Sequence, residues 1–362
     1  MERHSIYQSV CKPLLFQTNP DKLHEAMVET GYLLGKTTIT RNSLKLLFNY
    51  ENEKLNTQVF NLNFKNPLGL SGGFDKKCKL IQTIPFLGFG FTEIGSITFH
   101  PYQGNKQPWN IRLKKDKSIL VNYGLKNEGV QILKARIQAQ KRSCPVIINI
   151  AKTNDPTIKG EAGIDDYITS FRALQSLADI VNLNISCPNT GDGTLLCEDL
   201  DLLAILLKKL SEAQITKPIV MKLKPDISDE KLYELLKLCN KYEFIKGFTI
   251  SNLTRTRKNL KTKLNSNLPG GISGKPLKKL SDKMIQKTYS FTKGKKTIIG
   301  CGGIFTAEDA YEKIILGSSL IQLVTGMIYK GPGIAKEINQ GLVKLLEKDN
   351  FRNIQEAVGY KN

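Results

Sequence analysis

The chain has 362 residues, with 53 Lys and Arg against 33 Asp and Glu for a formal charge of +20, 40% hydrophobic and 24% charged residues, three His, seven Cys and one Trp. That apolar content can bury a large core, which excludes a disordered chain and a small disulfide scaffold. At roughly 150 residues per domain the length allows two or three domains, but an α/β barrel of roughly 250 residues forms a single one.

No apolar run reaches the ~18–20 residues of a membrane-spanning helix. The opening MERHSIYQSVCKPLLF has neither an unbroken apolar stretch nor a small-residue cleavage site, so no signal peptide is expected. The cysteines (11, 78, 144, 187, 197, 239 and 301) are odd in number and contain no CxxC pair, which fits a reducing compartment. Three isolated histidines without metal-ligand spacing give no expectation of a metal. A charge of +20 suits nucleic acid or an anionic membrane surface. The basic runs at 114–117, 254–263 and 293–296 lack interleaved aromatics, so they are expected to be solvated surface, with no nucleic-acid partner.

In chain order, a first helical pattern around 6–11 is expected to stop near Pro13. A second starts after Asn19-Pro20-Asp21 and runs to about Gly35. Its Leu23, Ala26, Met27, Thr30, Leu33 and Leu34 share one stripe, with His24 beside it. A linker is expected next. Phe60, Leu62 and Phe64 then alternate with polar residues as one half-buried strand. The division expected is an N-terminal helical segment over 1–45 and a second unit over 46–362.

From Pro67 onward the pattern is strand, helix, strand. Apolar strand candidates fall at 67–73, 91–97, 146–150, 180–185, 219–224, 247–251, 297–303 and 319–325. Helical patterns separate them, for example at 165–178, 229–242 and 306–316, the last capped by Thr306 with Asp309 three residues on. Eight short runs of this kind predict an α/β fold, a (β/α)8 TIM barrel with a short helical extension at its N-terminus. A doubly wound sheet needs fewer strands, and no GxGxxG opens a helix after the first.

Barrel chemistry sits at the C-terminal ends of the strands. Those ends hold Ser71 to Lys76, Glu93 to Ser96, Asn149, Asn184 to Thr190, Lys222, Ser251-Asn252, Gly302-Gly303 and Thr325, so almost every strand ends in glycine, amide, hydroxyl or lysine and not in carboxylate. Such a set hydrogen-bonds a flat, polar, anionic ligand and is poorly made for metal binding or two-carboxylate hydrolysis. Gly270 to Gly274 and Gly302-Gly303 stand where barrels build phosphate sites, the plainer alternative being two flexible turns. Lys222 in an apolar strand needs a partner, either the electron-rich edge of a flavin or, if it snorkels, solvent. Cys187 in the amide-rich loop is either a general base or a small buried hydrophobe; the second applies to Cys239, Cys144 and Cys301. His24, on the rim of an apolar helical face, is either structural or functional.

The stretches at 66–76, 88–98, 184–190 (NISCPNT), 222–226 (KLKPD), 270–277 (GGISGKPL), 298–303 and 318–332 together resemble the dihydroorotate dehydrogenase family, in its membrane-associated, quinone-dependent class. The resemblance spans about residues 20–360. It implies FMN as cofactor, held by Ser71, Gly72, Lys76, Ser96, Asn149, Asn184, Lys222, Ser251, Ser273, Gly274, Gly302, Gly303, Val324 and Thr325. It implies dihydroorotate or orotate held by Lys76, Asn127, Asn184, Asn189 and Asn252, with Cys187 as catalytic base and His24 and Arg112 at a quinone site. A peripheral place on the cytoplasmic side of the cell membrane, with a membrane quinone as partner, is likewise implied.

Departures from the family pattern are visible. Serine is usual in this class where Cys187 stands, cysteine being typical of the soluble class. Val121 replaces an asparagine of the substrate loop, with Asn122 one step later. Leu253 replaces a threonine, Val324 a tyrosine, and of an arginine-rich stretch only Arg112 remains. The rival expectations are another FMN-barrel oxidoreductase acting on a different ring, an enzyme like the tRNA dihydrouridine synthases, and a degenerate barrel that serves as an interaction module.

Overall fold

The computed structural model describes residues 7–190, 195–265 and 267–362. Eight parallel strands, β1 (Leu68–Leu70), β2 (Phe91–Ile97), β3 (Val146–Ile150), β4 (Ile180–Asn184), β5 (Ile219–Leu223), β6 (Ile245–Ile250), β7 (Thr297–Cys301) and β8 (Leu320–Leu323), close in chain order into a barrel. This is the (β/α)8 architecture expected. Each strand lies within a few residues of its apolar run, and β2 and β3 coincide with theirs.

The alternation of side chains along a strand sorts the barrel interior into layers. Phe91, Ile147, Ile180, Val220, Ile299 and Leu320 form an apolar floor with Val59 and Phe64. Two residues further along the same strands come Glu93, Asn149, Asn182, Lys222, Cys301 and Gln322, a polar layer on top of the apolar one. The intervening residues, among them Ile94, Ile148, Val181, Met221 and Ile298, pack outward in the main core with helices such as Gly160–Leu174, Leu200–Ser211 and Asp229–Asn240. The expected cap of helix Ala307–Ile315 is present. Thr306 Oγ1 accepts from the Asp309 amide at 3.2 Å, while an Asp309 carboxylate oxygen accepts from the Phe305 amide at 3.0 Å.

Four expectations need correction. Pro13 does not end the first helix: α1 (Lys12–Leu15) follows a wide turn over Tyr7–Cys11, and proline in a first turn removes a donor the helix does not use. Ile6, placed in that first pattern, lies outside the described residues. After α2 (Pro20–Lys36), capped by the Asn19 side chain, comes α3 (Thr38–Phe48) and not a linker, so the boundary expected at 45 falls inside a helix. Thr37 caps it by accepting from the Thr40 amide at 3.2 Å.

The single strand through Phe60 is a hairpin, Thr57–Val59 against Leu62–Phe64. It turns at Phe60 and Asn61, whose φ values of 55° and 60° suit a two-residue hairpin loop. It closes the bottom of the barrel, Phe64 meeting Phe91 edge to face at 5.5 Å. Finally, Gly271–Gly274 is a strand. It pairs with Ser118–Val121, which pairs with Asn110–Leu113, in a three-stranded antiparallel sheet formed by two excursions from the barrel.

Candidate active site

A cavity of about 440 Å³ runs from the C-terminal ends of the barrel strands to the inward faces of α1, α2 and α3. Of the residues expected at a flavin, Ser71, Gly72, Lys76, Ser96, Asn184, Lys222, Ser251, Ser273, Gly274, Gly302, Gly303, Val324 and Thr325 line it. Cys187, Asn189, Asn252, His24 and Arg112 line it as well, and so do the departures Val121 and Leu253.

Asn127 does not, and its assignment to substrate is corrected. Its Nδ2 donates to Thr98 Oγ1 at 2.6 Å and to the Leu125 carbonyl at 2.9 Å, while its Oδ1 accepts from the Gly129 amide at 2.8 Å. The side chain is spent bracketing the start of helix Gly129–Gln138. Asn149 lies one layer below the cavity, where its Nδ2 donates to Glu93 Oε1 at 2.5 Å.

At one end of the cavity Ser273 Oγ and Thr325 Oγ1 lie 2.8 Å apart, with Thr325 opening the helix Thr325–Lys330. Gly303, at φ 77°, passes so close to Lys278 that an added Cβ would sit 2.5 Å from the Lys278 Cβ. Glycine is needed there for the left-handed φ and the close pass to Lys278, and both Gly302 and Gly303 line the cavity.

In the middle, Asn252 Nδ2 donates to Asn184 Oδ1 at 2.9 Å and Asn184 Nδ2 donates to Ser96 Oγ at 3.0 Å. Asn189 Nδ2 donates to the Val121 carbonyl at 3.0 Å. Cys187 stands on the same loop after β4, its thiol position set by a chain that Ser186 anchors through a 2.6 Å bond to the Lys222 carbonyl. Beneath it, Lys222 Nζ lies 3.5 Å from Glu93 Oε1, both side chains buried. The partner of this lysine within the protein is therefore a carboxylate, not solvent.

Lys76 reaches across the cavity. Its Nζ donates to the Gly73 carbonyl at 3.0 Å, sits 3.0 Å from His24 Nε2 and lies over the Tyr123 ring, 3.8 Å from its centroid. Loss of water lowers its pKa from 10.5 to about 7, the nearby Lys126 pushing the same way and Asp75 opposing. His24 packs edge-on to Phe74 at 4.9 Å, and burial followed by the Lys76 charge holds it well below its ordinary 6.5. Arg112 lines the cavity and also fastens the N-terminal segment, donating to the Thr18 carbonyl at 2.8 Å with its guanidinium over Phe16. The far end is apolar, walled by Phe16, Leu23, Leu34, Leu44, Phe48 and Ile84.

Two site residues do more than the sequence assigned them: Glu93, present among the strand ends, had no role. Glu93 stood in the FTEIGSI run, where a carboxylate inside an apolar strand was itself a signal. Cys301, expected as an inert buried thiol, lines the cavity with its Sγ 3.5 Å from Ser71 Oγ, and burial raises its pKa.

The residues fit a flavin phosphate cofactor. Among the described residues, Ser251 Oγ, Asn149 Oδ1 and Asn189 Oδ1 are buried without a hydrogen-bond partner, at or directly beneath the cavity wall. Buried polar atoms of this kind need a hydrogen-bonding ligand. Gly302 and Gly303, which carry no side chain, line a cavity of about 440 Å³, a volume in the range of ligand sites.

The sequence profile of the dihydroorotate dehydrogenase family matches residues 54–346. A dihydroorotate dehydrogenase (quinone) of Trichodesmium erythraeum is 39% identical over 99% of both chains, and one of Christiangramia forsetii is 38% identical over 95% of this chain and 99% of its own. The crystal structure of ligand-free dihydroorotate dehydrogenase from Eimeria tenella superposes with a TM-score of 0.79 at 28% identity, covering 90% of this chain and 99% of that one. Matched by the family profile over residues 54–346 and 38–39% identical to such relatives over nearly its full length, the chain belongs to the dihydroorotate dehydrogenase family.

Proposed function

We infer that the protein oxidises dihydroorotate to orotate and delivers the electrons to a quinone, the flavin-dependent oxidation step of pyrimidine nucleotide formation. One observation carries the reading: a single cavity joins the polar strand ends, with Lys76, Cys187 and three asparagines, to an apolar chamber between α1, α2 and α3. The first half suits a small anionic ring and the second a lipid-soluble one.

FMN is the flavin that fits: Gly274, Gly302, Gly303 and Thr325 would hold its phosphate, and Ser71, Gly72, Ser96, Lys222 and Ser251 its ring. Held there, it would supply a two-electron acceptor for hydride from the substrate. The chain's own part is to bind and to move a proton. Lys76, as an ammonium, attracts the substrate carboxylate. Asn184, Asn189 and Asn252 hydrogen-bond the amide edges; the Asn252–Asn184 and Asn184–Ser96 bonds and the Asn189 bond to the Val121 carbonyl fix their orientation before substrate arrives. Cys187 removes the proton from the ring carbon next to the one that loses hydride, help worth about 10²–10⁴-fold. His24 and Arg112 border the quinone end.

Residues 7–48 form the quinone and membrane segment in this reading. Val10, Leu14, Met27, Leu33, Ile39 and Leu46 are among the exposed large hydrophobics of the described residues, Ile39 and Leu46 at 80%. Lys12, Lys22, Lys36 and Arg41 lie in the same helices. An apolar face beside basic residues suits the interface of an anionic membrane. Among the described residues no helix is long and apolar enough to cross a membrane. The exposed apolar and basic residues of 7–48 support a peripheral position, which we propose to be on the cytoplasmic side of the cell membrane.

The test is anaerobic. Dihydroorotate added to the purified protein should bleach the visible absorbance of the flavin, and a soluble quinone should restore it. A yellow protein that does not bleach would move the substrate to another ring. A colourless one would favour a barrel that has lost catalysis.

A further inference from the structure

Glu93 takes no part in the mechanism above, yet it is the buried carboxylate of the polar layer beneath the cavity. Its side chain is 0% exposed and stands 3.5 Å from Lys222 Nζ. Two amides hold it in place: Asn149 Nδ2 at 2.5 Å and Asn182 Nδ2 at 2.9 Å both donate to Oε1, and Asn182 also donates to Thr249 Oγ1 at 3.0 Å. Glu93 Oε2 is buried without a hydrogen-bond partner among the described residues. A Cβ added to Gly72, a cavity-lining residue, would lie 2.7 Å from Glu93 Oε1. The carboxylate is thus one layer of backbone away from the ligand, locked by residues from four strands.

A buried ion is costly, and one held this tightly acts at short range because little water screens it. Lys222 lines the cavity on the side where the flavin ring is placed. A cation there favours the reduced, more negative ring, and a carboxylate behind the cation takes part of that preference back.

We propose that Glu93 is a positioning residue that aims Lys222 and offsets its charge, so that the flavin's reduction potential is set by the Lys222–Glu93 pair and not by the lysine alone. The proposal rests on the flavin reading above.

The experiment is a spectroelectrochemical titration of bound flavin in the wild-type holoenzyme and in Glu93→Gln, with Lys222→Met as the opposite control. Glutamine keeps the shape, and its carbonyl can take the Asn149 and Asn182 hydrogen bonds. With the offsetting charge gone, the affinity ratio of reduced to oxidised flavin should rise about tenfold, which for a two-electron couple is about 30 mV more positive. Lys222→Met should shift it the other way. A structural role alone would lower flavin content and leave the potential of the retained flavin unchanged, and that result overturns the proposal. If Glu93→Gln does not fold, Glu93→Asp decides. Withdrawing the charge by one methylene should move the potential upward by about a third as much, and an unmoved potential refutes the proposal equally. A folded wild-type protein that takes up no flavin overturns the functional reading itself, whereas a flavin-loaded one with an unmoved potential overturns only the role of Glu93.

Discussion

Lys76 should make anion binding fall with pH in a range where lysines are ordinarily inert. The group is cationic below its pKa. With that pKa lowered from 10.5 to about 7, its charge is lost around neutrality and not above pH 10. For a site in which only the ammonium binds a carboxylate, the charged fraction drops from about ten-elevenths at pH 6 to about one-eleventh at pH 8. Affinity should then fall about tenfold, or about 1.4 kcal/mol. His24, 3.0 Å from Lys76 Nζ, is itself held well below 6.5 by burial and then by the Lys76 charge.

The assay is calorimetric titration of orotate into flavin-free protein at half-unit intervals from pH 6 to 8. Lys76→Met should bind weakly and with no pH dependence across the range. Lys126→Gln removes a repulsive charge and should slide the whole curve to higher pH. An affinity in the parent protein that stays level from pH 6 to 8 would show that Lys76 keeps its proton, and the desolvation argument would fail.

Replacing Cys187 by alanine should slow flavin reduction by dihydroorotate about 10²–10⁴-fold in stopped-flow absorbance while flavin content stays at the parental level; reduction at the parental rate would remove the base assignment. Ile39→Asp combined with Leu46→Asp, at two positions 80% exposed, should abolish sedimentation with anionic vesicles and leave the dihydroorotate half-reaction intact. Lys313 is fully buried and donates to Asp282 at 2.7 Å and Ser281 at 2.9 Å. Lys313→Met should lower stability in urea by about 3 kcal/mol, the low end for a broken buried pair, because Lys278 still neutralises Asp282 at 2.7 Å.

Much of this protein is legible from local pattern. Strand runs bounded by helical stripes, the Asn19 and Thr306 caps and the glycines at 302–303 are short-range features, each decided within a few residues. Their order along the chain is enough for the barrel, because consecutive parallel strands pair with their neighbours. The strand ends then present Lys76, Cys187 and Asn184 at one rim, and the motifs there are specific enough to point to the family.

Other features depended on packing. In α3, Thr38, Ile39 and Thr40 are poor helix formers, so residues 38–48 read as a linker. Contact of Leu44 with the rest of the molecule, where it is buried, supplies the stabilisation that propensity withholds. Asn127 matched a substrate motif, but the fold turns its amide onto Thr98 and Gly129. Glu93, Asn149, Asn182 and Lys222 come from four strands, and the hydrogen bonds of Glu93 to the two asparagines span 56 and 89 residues of sequence. The strand period determined that each points inward. Only closure of the barrel decided that they meet, because the distance between residues on different strands is a property of the sheet's curvature and register and not of any one segment.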